Sequence, residues 1–358
     1  PRQYYNFYLI RSIPFLLFLT LSLYSVFAQE IAPPFAPKSY ACRYVSEPLV
    51  IDGRPDEAGW QLAPWTDDFV DIEGDLKPLP RFRTRAKMLW DVDYFYFFAE
   101  MEEPHIWATL RQRDTVIFYD NDFEIFIDPD GDTHRYYEFE MNAFNTIWDL
   151  MLITPYRDGA SAVLNSWDIR GIKTAVDIQG TLNDPSDEDK KWTVEIALPW
   201  EALKEQAPDR RKPEAGEYWR VNFSRVEWQV DVVEGKYQKR TDPQTGKRLR
   251  EDNWVWSPQG AINMHRPETW GFVLFTDGES EGQSAFEMPA SEYTKWALRK
   301  LYYAQRDYRA DHQHYADRLD QLAAEITEQA MMKAGQGSYI ITLPGQGTKS
   351  WYIDEQGR

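Results

Sequence analysis

Asp120-Asn121-Asp122-Phe123-Glu124-Ile125-Phe126-Ile127-Asp128, then Pro129-Asp130-Gly131-Asp132, then Tyr136-Tyr137-Glu138-Phe139-Glu140-Met141-Asn142, sets the architecture of this chain. Apolar Phe123, Ile125 and Ile127 alternate with acidic Asp122, Glu124 and Asp128, the period of a strand with two chemically distinct faces. Asp-Pro-Asp-Gly then reverses the chain into a second alternating strand, so the segment predicts a hairpin. Along one face it lays carboxylates, an amide and aromatic rings, a set suited to gripping hydroxyls or a hard cation. On alternation, Glu124 and Glu140 point away from the core, toward solvent or a ligand.

Outward from this hairpin, residues 84–90, 94–101, 192–198, 218–226 and 270–275 show the same short alternating pattern, bounded by Pro, Gly and Asp. Many short strands of this kind predict an all-β, antiparallel β-sandwich, immunoglobulin- or jelly-roll-like, over residues 44–277. Residues 231–258 interrupt the pattern with a basic run, Lys236, Lys239, Arg240, Lys247, Arg248 and Arg250, that leads into Trp254-Val255-Trp256. Gly, Ser and Glu crowd the start of a linker at 278–290, which predicts a boundary crossed by few contacts. Beyond it, residues 291–358 form a tail. Leu301, Tyr308, Tyr315 and Leu322 recur at helical spacing, with a bend expected near 311–314 and a shorter helix after it. Residues 339–342 and 351–353 predict a small terminal β-hairpin.

At the other end, residues 1–28 have the pattern of a signal peptide: basic Arg2 and Arg11, an apolar run over 13–27, and Ala28 before the cleavage point. Residues 29–43 are a Pro- and Ala-rich lead-in. The mature chain is therefore expected to be exported, periplasmic or extracellular, with no membrane span after signal cleavage. Cys42 is the only cysteine, so no internal disulfide forms and burial alone holds the fold. With 15 Trp, 21 Tyr and 19 Phe, the aromatic content exceeds what one core consumes and offers flat apolar faces for stacking on sugar rings. A net charge of -18 repels phosphate backbones, so nucleic acid is excluded as a partner.

Three local patterns in this order resemble the family 9 carbohydrate-binding module and its relatives. They are Val50-Ile51-Asp52-Gly53 with Asp56-Glu57-Ala58-Gly59-Trp60, then Lys87-Met88-Leu89-Trp90-Asp91 before Tyr94-Phe95-Tyr96, then the acidic strand. Trp192 to Trp200 and Trp270 to Phe275 sit where that family has later strands. The resemblance covers roughly residues 44–276. It implies a β-sandwich that binds sugars, often attached to or encoded beside polysaccharide-degrading enzymes, and in some members carrying structural calcium. The family's two clamping tryptophans fall near Phe118 or Tyr119 and near Met264. Its acidic sugar ligand falls on Glu124, and its arginine falls on Glu140, which reverses the hydrogen-bond role offered there.

The resulting expectation is a non-catalytic carbohydrate-binding protein for a polysaccharide or oligosaccharide, with Phe118, Tyr119, Glu124, Glu140, Asn142, Trp148, Trp254 and Trp256 as sugar contacts. Asp128, Asp130 and Asp132, two apart in a Gly-containing turn, read either as an oxygen-rich calcium loop or as a plain type I′ hairpin turn. No cofactor is required by any motif. Two alternatives stand beside this reading. A glycoside hydrolase would use a carboxylate pair, of which 58 acidic residues supply many. A haem-binding electron-transfer module of the same wider superfamily would take axial ligands from Met88, Met101, Met141 or His134. The five histidines lack zinc-ligand spacing, and Gly-x-Ser-x-Gly, phosphate-binding and cysteine-nucleophile motifs are absent.

Overall fold

The computed structural model describes residues 35–158, 163–278, 286–324, 329–345, 347 and 349–358. The signal-peptide segment 1–28, the first part of the lead-in and linker residues 279–285 lie outside the described residues. Along the chain come β1 (Ser39–Tyr44), β2 (Val70–Asp71), β3 (Thr84–Trp90), β4 (Tyr94–Glu102), β5 (Asp122–Asp128), β6 (Tyr136–Asn142), β7 (Ile147–Leu152) and β8 (Val163–Leu164). There follow β9 (Lys173–Gln179), β10 (Lys191–Pro199), β11 (Tyr218–Glu227), β12 (Val230–Val233), β13 (Lys236–Lys239), β14 (Asp252–Val255) and β15 (Gly271–Thr276).

All of these except the β12–β13 hairpin join one 13-stranded sheet, ordered β8-β7-β6-β5-β11-β15-β1-β3-β4-β10-β9, with β14 on β11 and β2 on β14. Pairing is antiparallel throughout except at β1, which runs parallel to β15 on one side and to β3 on the other. That strand is the seam between two halves. The sheet curls so that the halves face each other: Phe123, Ile125 and Phe139 from one meet Phe97, Val194 and Ile196 from the other in a single core. The architecture is the all-β sandwich expected from the alternation. Each fully buried large apolar side chain contributes about 1.5–3 kcal/mol, which a chain without disulfides needs.

Between β5 and β6 the chain takes residues 129–135 to reverse, with Gly131, Thr133 and Arg135 all at positive φ (64°, 73° and 50°). The hairpin is present. Its turn is not the two-residue type I′ turn, because register pairs Ile127 with Tyr137 and leaves a longer loop outside.

After the short helices α1 (Ala58–Leu62) and α2 (Trp200–Leu203) of the sandwich, the tail folds as α3 (Ala290–His312), then β16 (Met331–Gly335), β17 (Ser338–Pro344) and β18 (Ser350–Asp354) as a three-stranded sheet against it. α3 ends where Gln313 adopts a left-handed conformation (φ 65°). The chain then turns back, because buried Gln305 holds Ala316 by two hydrogen bonds, at 2.9 and 3.1 Å. Among the described residues, a 3-10 turn at Leu319–Gln321 stands where a second helix was expected. β16 leaves no alternation in the sequence, since none of its side chains is fully buried. The junction is also crossed by more contacts than its composition suggests. Arg220 pairs with Glu292 at 2.8 Å, Arg299 donates to Thr133 Oγ1 at 2.9 Å, and Tyr303 hydrogen-bonds Glu268. No helix among the described residues is long and apolar enough to cross a membrane.

Candidate functional site

Strand pairing brings the acidic residues together before any side-chain contact is considered. Glu124 on β5 lies opposite Glu140 on β6 and opposite Ser224 on β11, and Glu140 lies opposite Trp148 on β7. Asp122 and Glu138, one strand-period from Glu124 and Glu140, project from the same face. The expectation that this face is open is corrected: Glu124 is 6% exposed, Glu140 2% and Asp122 0%. Distant segments cover it. The turn at Phe118–Tyr119 lies on Glu140, with the Phe118 N–H donating to Glu140 Oε2 at 3.1 Å. Trp270 packs on Phe126 and Tyr136, and His265 stands 2.8 Å from the Tyr136 hydroxyl.

Burial pushes Glu124 up to about 7. Burial, with the neighbouring Glu124 charge, pushes Glu138 up to about 8. Asp122 and Glu140 are raised well above the carboxylate range, again by burial first and then by Glu124. One oxygen each from Asp122, Glu124 and Glu140 lies within 4.8 Å of the others. Lys239 approaches from β13 but stops short. Its ammonium donates to the Tyr119 carbonyl and sits 3.4 Å from the Trp228 ring centroid, where burial and then Arg248 lower it to about 8.

Of the expected sugar contacts, the structure gathers Phe118, Tyr119, Glu124, Glu140 and Trp148 on one patch. Tyr119 is 51% exposed and stacks obliquely on Phe118 with ring centroids 4.6 Å apart. Asn142 is corrected to a structural role: its amide donates to Leu110 O and Asp120 Oδ2, and its carbonyl oxygen accepts from the N–H groups of Phe144 and Thr146. Trp254 and Trp256 are corrected to core residues, because β14 pairs with β11 and turns both indoles inward. Met88, Met101 and Met141 pack in the same core. Asp122, Glu138 and Tyr156 belong to the patch and were not among the expected contacts. The two acids carry the same alternation as Glu124 and Glu140, so their signal was present. Tyr156 had none.

Asp128, Asp130 and Asp132 also bring one oxygen each within 4.8 Å of the others. Asp128 accepts from the N–H groups of Gly131 (3.0 Å) and Thr133 (2.9 Å), Asp132 accepts from that of His134 (2.7 Å), and Arg135 stands 3.2 Å from Asp132. Burial and then Asp132 raise Asp130 to about 6.

Residues 51–216, which include this patch on β5, β6 and β7, match the family described as carbohydrate family 9 binding domain-like. The chain carries a family 9-like domain. A family 9 carbohydrate-binding module of Caldicellulosiruptor kristjanssonii, solved with cellotriose, is 16% identical, covers 70% of this chain and 99% of its own, and superposes with a TM-score of 0.42. The structure of such a module from the same organism with glucose gives 16%, 70%, 100% and 0.42. A solved protein of Bacteroides uniformis gives 16%, 67%, 100% and 0.46. No curated protein matches the sequence. The match ends before β11 and β15, which complete the same sheet from beyond the matched segment.

Proposed function

We propose that this chain is an exported, non-catalytic carbohydrate-binding protein that captures or positions a polysaccharide or oligosaccharide, in the company of polysaccharide-degrading enzymes. The observation that carries the reading is the family match over residues 51–216, together with the position of the acidic patch inside it. Family 9 modules have been solved with cellotriose and with glucose, which makes β-linked and free hexoses the first ligands to try. At the patch, Tyr119, Trp148 and Tyr156 offer aromatic faces to a pyranose, and the carboxyls beneath them offer acceptors to its hydroxyls. Structural calcium in the 129–135 loop belongs to the same proposal. Three convergent carboxylates support it, and Arg135 competes for the same charge.

The test is a glycan array followed by calorimetric titration of the full chain. Glu124→Ala is expected to weaken binding by about 1–3 kcal/mol, the cost of losing a charged acceptor. Trp167→Ala, which removes a ring stacked on Tyr137 away from the patch, is expected to leave affinity unchanged. An intact melt with no glycan bound would sink the reading. Parental affinity in Glu124→Ala would move the site elsewhere on the molecule.

A further inference from the structure

Buried carboxylates in this protein follow a rule that one group of them breaks. Glu292 pairs with Arg220 at 2.8 Å, Glu268 with Arg157 at 2.7 Å, and Glu103 and Glu227 share Arg225 at 2.9 Å. Where no arginine is present, donors fill the oxygens. Glu195 accepts from the Trp60 indole and from the N–H groups of Asp52 and Gly53, and Asp120 accepts from Thr109, Leu110 and Asn142. Asp122, Glu124, Glu138 and Glu140 have no arginine and far fewer donors: one backbone N–H reaches Asp122, from Val226 at 3.3 Å, and one reaches Glu140, from Phe118 at 3.1 Å. Among the described residues none of the four has an ion-pair partner. Glu138 Oε2 and Asp122 Oδ2 are buried with no hydrogen-bond partner. An unpaired buried carboxylate is costly, and four facing one another are more so.

We infer that Asp122, Glu124 and Glu140, backed by Glu138, form a buried calcium site. The donors are all oxygen, the set hard cations take. The Asp122, Glu124 and Glu140 oxygens lie within 4.8 Å of one another, within reach of a single ion. A set made of several protein carboxylates suits calcium over magnesium, which gives up its waters reluctantly. Calcium and protons compete for the same carboxylate oxygens, so binding strengthens as pH rises. The inference stands whether or not a glycan binds above the site.

The experiment titrates calcium chloride into chelator-stripped full chain carrying Asp130→Asn and Asp132→Asn, which disables the 129–135 loop as a competing site. This background is expected to bind calcium at pH 7.5, with a heat that varies with the ionisation enthalpy of the buffer, and to bind it at least about tenfold more weakly at pH 5.5. Adding Glu124→Gln or Glu140→Gln is expected to cost about tenfold or more and to abolish the calcium-induced rise in melting temperature. Because glutamine resembles the protonated acid, these variants are expected to melt, without calcium, at or above the temperature of the parent. Asp122→Asn supplies an independent substitution on β5. A folded background that binds no calcium, or one whose affinity ignores all three substitutions, would overturn the assignment.

Discussion

Glu268 and Glu124 start from the same ordinary carboxyl and end on opposite sides of its usual value. Burial alone would raise both, but Arg157 and Arg299 beside Glu268 bring it down to about 2, while Glu124 has no such neighbour and rises to about 7. The two therefore act on stability in different pH windows. A carboxyl raised in the folded state favours folding below its ordinary value of about 4.5, and this contribution is lost as pH rises through the folded value. For Glu124 and Glu138 the loss runs from about pH 4.5 to about 8. Glu268 contributes above its ordinary value and loses that only as pH falls toward about 2, outside this window. In excess chelator the melting temperature should fall between pH 5 and pH 8, and Glu124→Gln should flatten the slope; a flat parental profile would show the carboxyls are not buried together. Alternation told which face Glu124 takes. It could not tell that this face is roofed, because the roof comes from residues 117–119 and 264–270, whose packing no local pattern encodes.

At the scale of elements, strands with clean alternation were legible and strands with crowded surroundings were not. Trp254-Val255-Trp256 alternates like any half-buried strand, yet the basic run before it suggested a loop reaching for ligand. Pairing with β11 decides the matter, and both indoles turn into the core. One consequence falls on Gly271. A Cβ there would come within 2.4 Å of the Trp256 ring, so this indole packs against the start of β15 only because the position has no side chain. Gly271→Ala should cost about 1–3 kcal/mol in denaturant unfolding, through displacement of a packed indole. A loss within a few tenths of a kcal/mol would mean that the ring moves freely. The 129–135 loop shows the converse limit: Asp-Gly announced a reversal, and its length followed from register rather than from the dipeptide.

Over the whole molecule, the tail is fastened to the sandwich by charge buried at the junction. Arg220 on β11 and Glu292 on α3 are both nearly inaccessible, and removing one leaves the other stranded. Glu292→Ala should lower stability by about 3–5 kcal/mol, read as a shifted denaturation midpoint. A change below about 1 kcal/mol would show that sandwich and tail are energetically separate. Composition marked the boundary but was silent on this pair, since neither residue stands out among so many charges. The seam strand β1 carries a different lesson. Residues 39–43 register against 272–276 and residues 43–44 against 89–90, so the first strand of the sandwich is held by nearly the last. Closing so long a loop costs entropy before any packing repays it. During synthesis the β3–β4 hairpin can form early, but the seam has to wait until residue 276 has emerged. Until then the two halves remain unzipped along their inner edges, and the hydrophobic faces they later share lie open to water and to other chains. A protein built in this way is exposed to misassembly for as long as the stretch from its first strand to residue 276 takes to emerge.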